Sequence, residues 1–154
     1  MDIYLEDFAV GQRISAGGMA VEREEVIAFA QRFDPQPFHL TDEGAVGTPF
    51  GRLAASGWHT CAMTMALMVK AWGGGNNRAS LGSPGVDELR WVKPVYPGDV
   101  LRFEMVIVAV TPSRSRHDMG SVHGEATTYN QHDEPVLRFR SIGLYRRRQP
   151  GGAG

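Results

Sequence analysis

Apolar residues recur at helical spacing over residues 22–33, where Val26, Ile27, Ala30 and Phe33 share one face and predict a short amphipathic helix. Glu22, Glu24 and Glu25 crowd its first turn, where negative charge complements the helix dipole. The helix must stop at Asp34, because a residue before proline is pushed out of the helical region, and Pro35 follows. A second helix is expected from about Ser56 to Trp72, ended by the run Gly73-Gly74-Gly75-Asn76-Asn77. It is rich in Ala and Met and apolar nearly all round, so something should enclose it. Strand-like runs follow at Val100–Val110, Ser121–Tyr129 and Val136–Tyr145, with Gln12–Val21 as a further candidate. In the first of these, Leu101, Phe103, Met105 and Ile107 alternate with polar Arg102 and Glu104. The order is strand, helix, stiff loop, buried helix, then antiparallel-type strands: an α+β pattern in which one sheet can curl round one helix.

With 154 residues, the chain suits one domain, residues 1–145, followed by a short tail, residues 146–154. Hydrophobic residues at 42% and charged residues at 21% exclude general disorder. Charge is nearly balanced, 16 basic against 17 acidic residues, and three positives stand together at Arg146, Arg147 and Arg148. The body ahead of them is mildly acidic, which argues against a nucleic-acid partner. The three arginines and the glycines after them read as a flexible, solvated tail. The single cysteine, Cys61, excludes an internal disulfide and a cysteine-built zinc site. The N-terminus is acidic where a signal peptide would be basic, so a cytoplasmic location is expected. Leu53–Val69 carries no formal charge, but its Ser, Thr, Gly and His residues suit a buried helix better than a membrane span.

Several chemistries lack their residues. Gly73-Gly74-Gly75 has no following lysine, so it is a connection rather than a phosphate cradle, and no dinucleotide fingerprint is present. Ser56-Gly57 is half of a nucleophile elbow, with Ala54 where the first glycine should stand. His117, His123 and His132 match no standard metal spacing, and no metal is expected. The remaining cluster is Asp34-Pro35-Gln36-Pro37-Phe38-His39, in which a carboxylate and an imidazole flank two prolines. Such a pair suits acid/base work if both reach one substrate. Fully extended, the segment would hold them about 15 Å apart, so the loop must bend after Pro37.

The pattern Asp-x-x-Pro-x-His at Asp34, Pro37 and His39, with Ala45 beyond it, resembles the signature of the MaoC-like dehydratases, (R)-specific enoyl-CoA hydratases of the hot-dog fold. Residues 51–60, Gly-Arg-Leu-Ala-Ala-Ser-Gly-Trp-His-Thr, resemble the entry to that fold's central helix, and Arg90–Asp99 resembles the hairpin entering its sheet. The resemblance runs from about Phe8 to Tyr145. It implies a single hot-dog domain, an antiparallel sheet wrapped around a long central helix. It also implies Asp34 and His39 as the catalytic pair, the Gly57 backbone N–H as oxyanion donor, and an acyl-CoA substrate in fatty acid metabolism. No cofactor is implied beyond the thioester itself. Gln36 departs from the Asn that the family often carries before the second proline.

Two other readings share the fold. An acyl-CoA thioesterase of the hot-dog type often takes a carboxylate from the central helix, yet Leu53–Trp72 contains no Asp or Glu. A non-catalytic acyl-CoA-binding subunit would have no evident need for both Asp34 and His39. A lone sheet of this kind leaves an uncovered face, so at least a homodimer is expected. Phosphate-binding arginines are expected at the mouth of the site, and Trp58, Met63, Met65, Met68 and Trp72 are read as helix packing.

Overall fold

The computed structural model describes residues 1–149. Five strands form one antiparallel sheet: β1 (Arg13–Ala20), β2 (Val86–Trp91), β3 (Val100–Pro112), β4 (Met119–Tyr129) and β5 (Pro135–Arg146), in the order β1-β3-β4-β5-β2. Three α-helices precede β2 in the chain, α1 (Arg23–Phe33), the single turn α2 (Asp42–Ala45) and the long α3 (Gly57–Ala71). The sheet packs around α3, so the α+β hot-dog architecture is the one observed.

Alternation builds the sheet's inner face. Leu101, Phe103, Met105 and Ile107 on β3 are all buried, as are Val122 and Ala126 on β4 and Leu137 and Phe139 on β5. Burying each large apolar side chain of this kind contributes about 1.5–3 kcal/mol. From α3, Met63 and Leu67 complete the core. Thr60 and Thr64 are buried as well, and Thr64 shares a 2.7 Å hydrogen bond with Thr128, so the two polar side chains satisfy each other. Trp72 stacks edge-on against Phe8 at the end of the helix.

Three expectations need correction. The residues Arg90–Asp99 do not form a hairpin: β2 lies at one edge against β5, and the chain crosses to β3, which pairs with β4 and β1. β2 was hidden because its side chains are exposed on both faces apart from the half-buried Leu89, leaving no alternation to read. The helix α3 is enclosed on the sheet side only, since Trp58, Met65 and Val69 are exposed. Finally, Arg146 closes β5, and Arg147 and Arg148 pair with Glu6 (3.6 Å) and Asp7 (2.6 Å). The acidic first turn of the chain neutralises these arginines, so they are part of the domain; residues 150–154 lie outside the described residues.

No described helix is long and apolar enough to cross a membrane. Among the described residues no group of three His, Cys, Asp or Glu side chains could hold a metal ion.

Candidate active site

Two backbone devices bring Asp34 and His39 together. Asp34 is the residue after α1, where Pro35 ends the helix, and its N–H still bonds to the Ala30 carbonyl. Pro37–His39 then form one tight 3-10 turn with proline at its first position, where the missing N–H costs nothing. This is the bend that the spacing required. The Asp34 Oδ2 and His39 Nε2 atoms lie 3.4 Å apart.

His39 is buried against the rings of Phe38 and Phe50. Its Nδ1 donates to the Ala54 carbonyl at 2.7 Å; a carbonyl can only accept, so Nδ1 carries the hydrogen. In the neutral ring, Nε2 therefore presents a lone pair toward Asp34. Burial opposes the charge on Asp34, but hydrogen bonds from Gln36 and Ser56 and the nearness of His39 outweigh it, and its pKa lies below the ordinary carboxylate value. Gln36 donates to Oδ1 at 2.6 Å and Ser56 to Oδ2 at 2.7 Å. The longer amide of Gln36 thus still reaches the carboxylate. The charge on Asp34 adds stability that is complete above the ordinary value and is lost as pH falls through the lowered folded value.

With the His39 ring neutral, Oδ2 and Nε2 are both acceptors and cannot bond to each other directly across 3.4 Å. A water that donates one proton to each satisfies both and keeps its own lone pairs free. The arrangement can therefore hold and deprotonate one water.

Next to His39 is a cavity of about 300 Å³ lined by Ala55, Gly57, Trp58, Thr60 and Trp91 among others. His39 lines this cavity, and Asp34 adjoins it through the 3.4 Å approach to His39 Nε2. Ser56 caps α3 by accepting from the Trp58 N–H at 3.3 Å, while its hydroxyl proton goes to Asp34. The Gly57 N–H, first in the helix, has no acceptor among the described residues and forms part of the positive end of the helix dipole. Gly57 also permits Trp91 to lie against the helix, because a Cβ there would overlap the indole ring. Burial pushes the Cys61 thiol up, which makes it a poor nucleophile.

Asp34, His39 and Gly57, the residues expected from the sequence, lie together here. The Ala54 carbonyl, Ser56 in its bond to Asp34, and Trp91 join them without having been expected. A backbone carbonyl leaves no sequence signal, whereas Ser56 directly before a helix was readable as a cap. Of the residues assigned to packing, Met63, Met68 and Trp72 do pack on the core, but Trp58 lines this cavity. Met65, Met68 and Trp72 line a second, apolar cavity of about 230 Å³ further along α3.

The MaoC-like domain matches residues 7–130 of the sequence. The chain belongs to the MaoC-like family. Among solved structures, the MaoC-like dehydratase from Rhodospirillum rubrum is 44% identical, with a TM-score of 0.87 over 96% of this chain and 99% of that one. The protein YdeM of Bacillus subtilis is 28% identical over 133 residues, 86% of this chain and 92% of its own. The 3-hydroxybutyryl-CoA dehydratase of Methylorubrum extorquens is 27% identical over 137 residues, 88% of this chain and 79% of its own. This MaoC-like chain therefore shares its fold and overall sequence pattern with dehydratases.

Ser56→Ala removes the cap and the bond to Asp34 together, and different measurements read the two losses. Loss of the cap should cost about 1 kcal/mol of stability. Loss of the hydrogen bond to Asp34 should raise the pKa of that carboxyl, so the acid limb of a kcat/KM profile should move to higher pH, readable by assaying wild type and variant across the acid range.

His59 supplies a separate, structural pH dependence. It stacks on Phe29 of α1 with ring centroids 4.7 Å apart, and its Nδ1 is buried without a hydrogen-bond partner among the described residues. Burial lowers its pKa from 6.5, opposed by the nearby charge of Glu25. The unfolded chain thus binds more protons, and stability falls as pH drops from 6.5 toward the lowered folded value. His59→Phe, which keeps the stack, should flatten that part of a denaturation-midpoint profile.

Proposed function

We propose that the protein is a hydratase that adds water syn across the 2,3-double bond of a trans-2-enoyl-CoA, giving an (R)-3-hydroxyacyl-CoA, and catalyses the reverse dehydration. The observation that carries this reading is the facing of Asp34 and His39 across 3.4 Å, with the tautomer of His39 set by Ala54. In the reaction, the thioester carbonyl points toward the Gly57 N–H, where the helix end stabilises negative charge as it develops on oxygen. Water held between Asp34 and His39 attacks C3 and gives a proton to the pair. The pair returns a proton to C2 on the same face, so one water is consumed and no group leaves. Phe38, Phe50 and Trp91 keep the environment apolar, which strengthens each of these electrostatic contacts.

Gly57, Cys61, Met65 and Met68 follow one another at helical spacing on one face of α3, so the second cavity offers an acyl tail an apolar site beyond the thioester. The functional unit is a homodimer in this reading. Exposed Trp58, Met65 and Val69 on α3 lie beside the unpaired edge of β2, with Val86, Trp91 and Val92 also exposed, and a second copy can cover both at once.

An absorbance assay of crotonyl-CoA and longer trans-2-enoyl-CoA thioesters tests the activity. Loss of the conjugated double bond with CoA retained supports hydration. Free CoA without hydroxyacyl product would support a thioesterase, and binding without turnover a non-catalytic subunit.

A further inference from the structure

Strand register puts Arg90 of β2 directly opposite Arg138 of β5. Arg138 lies between the buried Leu137 and Phe139, so both arginines project from the outer face of the sheet, away from α3. Two guanidinium groups as cross-strand neighbours repel each other. Other cations nearby are neutralised: Arg140 lies 3.8 Å from Glu88 and 3.3 Å from Glu125, and Lys93 pairs with Glu134. Arg90 and Arg138 have no carboxylate partner among the described residues. The one hydrogen bond from the Arg90 side chain goes to the Leu89 carbonyl at 3.0 Å.

The pair lies in a groove of about 530 Å³ that also includes Val92, Thr127 and the ion-paired Glu88, Glu125 and Arg140, whose charges leave Arg90 and Arg138 as its unpaired cations among the described residues. Val92 lines the His39 cavity too, so the groove begins where that cavity ends, over the last residues of β2. A repelling arginine pair becomes favourable when a multiply charged anion lies between its members, and planar guanidinium groups match phosphate oxygens two at a time. An apolar cavity for a thioester, joined past one residue to an unneutralised arginine pair, fits a ligand with a neutral reactive end and a phosphorylated remote end. Pairing of a second copy along the β2 edge uses backbone groups in the plane of the sheet and leaves these perpendicular side chains open.

We propose that Arg90 and Arg138 bind the phosphates of the nucleotide part of the acyl-CoA whose thioester lies at His39. This rests on the reading of the His39 cavity as a thioester site. In the Arg90→Gln/Arg138→Gln double variant, KM for crotonyl-CoA should rise roughly tenfold or more, with kcat little changed. Crotonyl-N-acetylcysteamine, a thioester with no phosphate, should be hydrated alike by variant and wild type. An unchanged KM for crotonyl-CoA would overturn the proposal and leave the hydratase reading intact. So would a loss confined to a crotonyl group carried on the phosphopantetheine of an acyl carrier protein. Should wild type hydrate no thioester, titration with adenosine 3′,5′-bisphosphate still decides the matter. Weaker binding to the double variant supports the arginine site, and equal binding refutes it.

Discussion

Replacing His39 with alanine should lower kcat/KM for hydration of crotonyl-CoA by about 10³-fold, within the range for removal of a positioned general acid or base. In the proposed mechanism the loss is chemical rather than structural for a specific reason. His39 holds only one hydrogen bond to the protein frame, to Ala54, while its other nitrogen faces Asp34 and the cavity wall. His39→Gln keeps most of the volume and should lose comparable activity with a melting temperature closer to wild type. Asp34→Asn removes the negative charge but keeps an oxygen for Ser56 or Gln36, and should lose about 10²–10³-fold in kcat. Combined in one chain, the two substitutions should cost little more than the worse of them if, as proposed, both act on the same water.

Gly57→Ala should lower kcat by about 10²-fold, the loss typical of one oxyanion donor. The added methyl group meets the Trp91 indole, so either the ring leaves the cavity wall or the first turn of α3 shifts. In the proposed reaction a sub-ångström shift matters, because the Gly57 N–H must point at the oxygen on which negative charge develops toward the transition state. Adding Trp91→Ala to Gly57→Ala relieves the overlap and should restore part of the activity. If Gly57 served packing alone, the single variant would lose stability while kcat stayed near wild type.

The elements with strong periodicity were legible from the chain. α3 was expected over Ser56–Trp72 and occupies Gly57–Ala71, with those two residues as its caps. The strands β3, β4 and β5 extend their expected ranges by a residue or two at the ends. What was not legible depended on partners far along the chain. β2 has no buried alternation to read, and its pairing with β5, which lies beyond β3 and β4 in the chain, is a long-range contact that local pattern does not carry. Arg147 and Arg148 were assigned to the tail because their acidic partners, Glu6 and Asp7, lie at the opposite end of the sequence.

The site divides in the same way. Asp34 and His39 stand out because two prolines hold a carboxylate and an imidazole in one short loop. Their meeting depends on a turn at Pro37–His39 and on hydrogen bonds from Gln36 and to Ala54, which no spacing rule contains. Ser56 shows how one residue carries two signals: the cap was a local property, and the bond to Asp34 a tertiary one.

Product analysis after hydration in deuterium oxide tests the central claim, that Asp34 and His39 add one water to one face of an enoyl-CoA. The account predicts (R)-3-hydroxybutyryl-CoA from crotonyl-CoA, with CoA retained and a single deuterium at C2 on the face that gained the oxygen. Production of free CoA without the hydroxyacyl thioester, or undiminished turnover by His39→Ala, would contradict it.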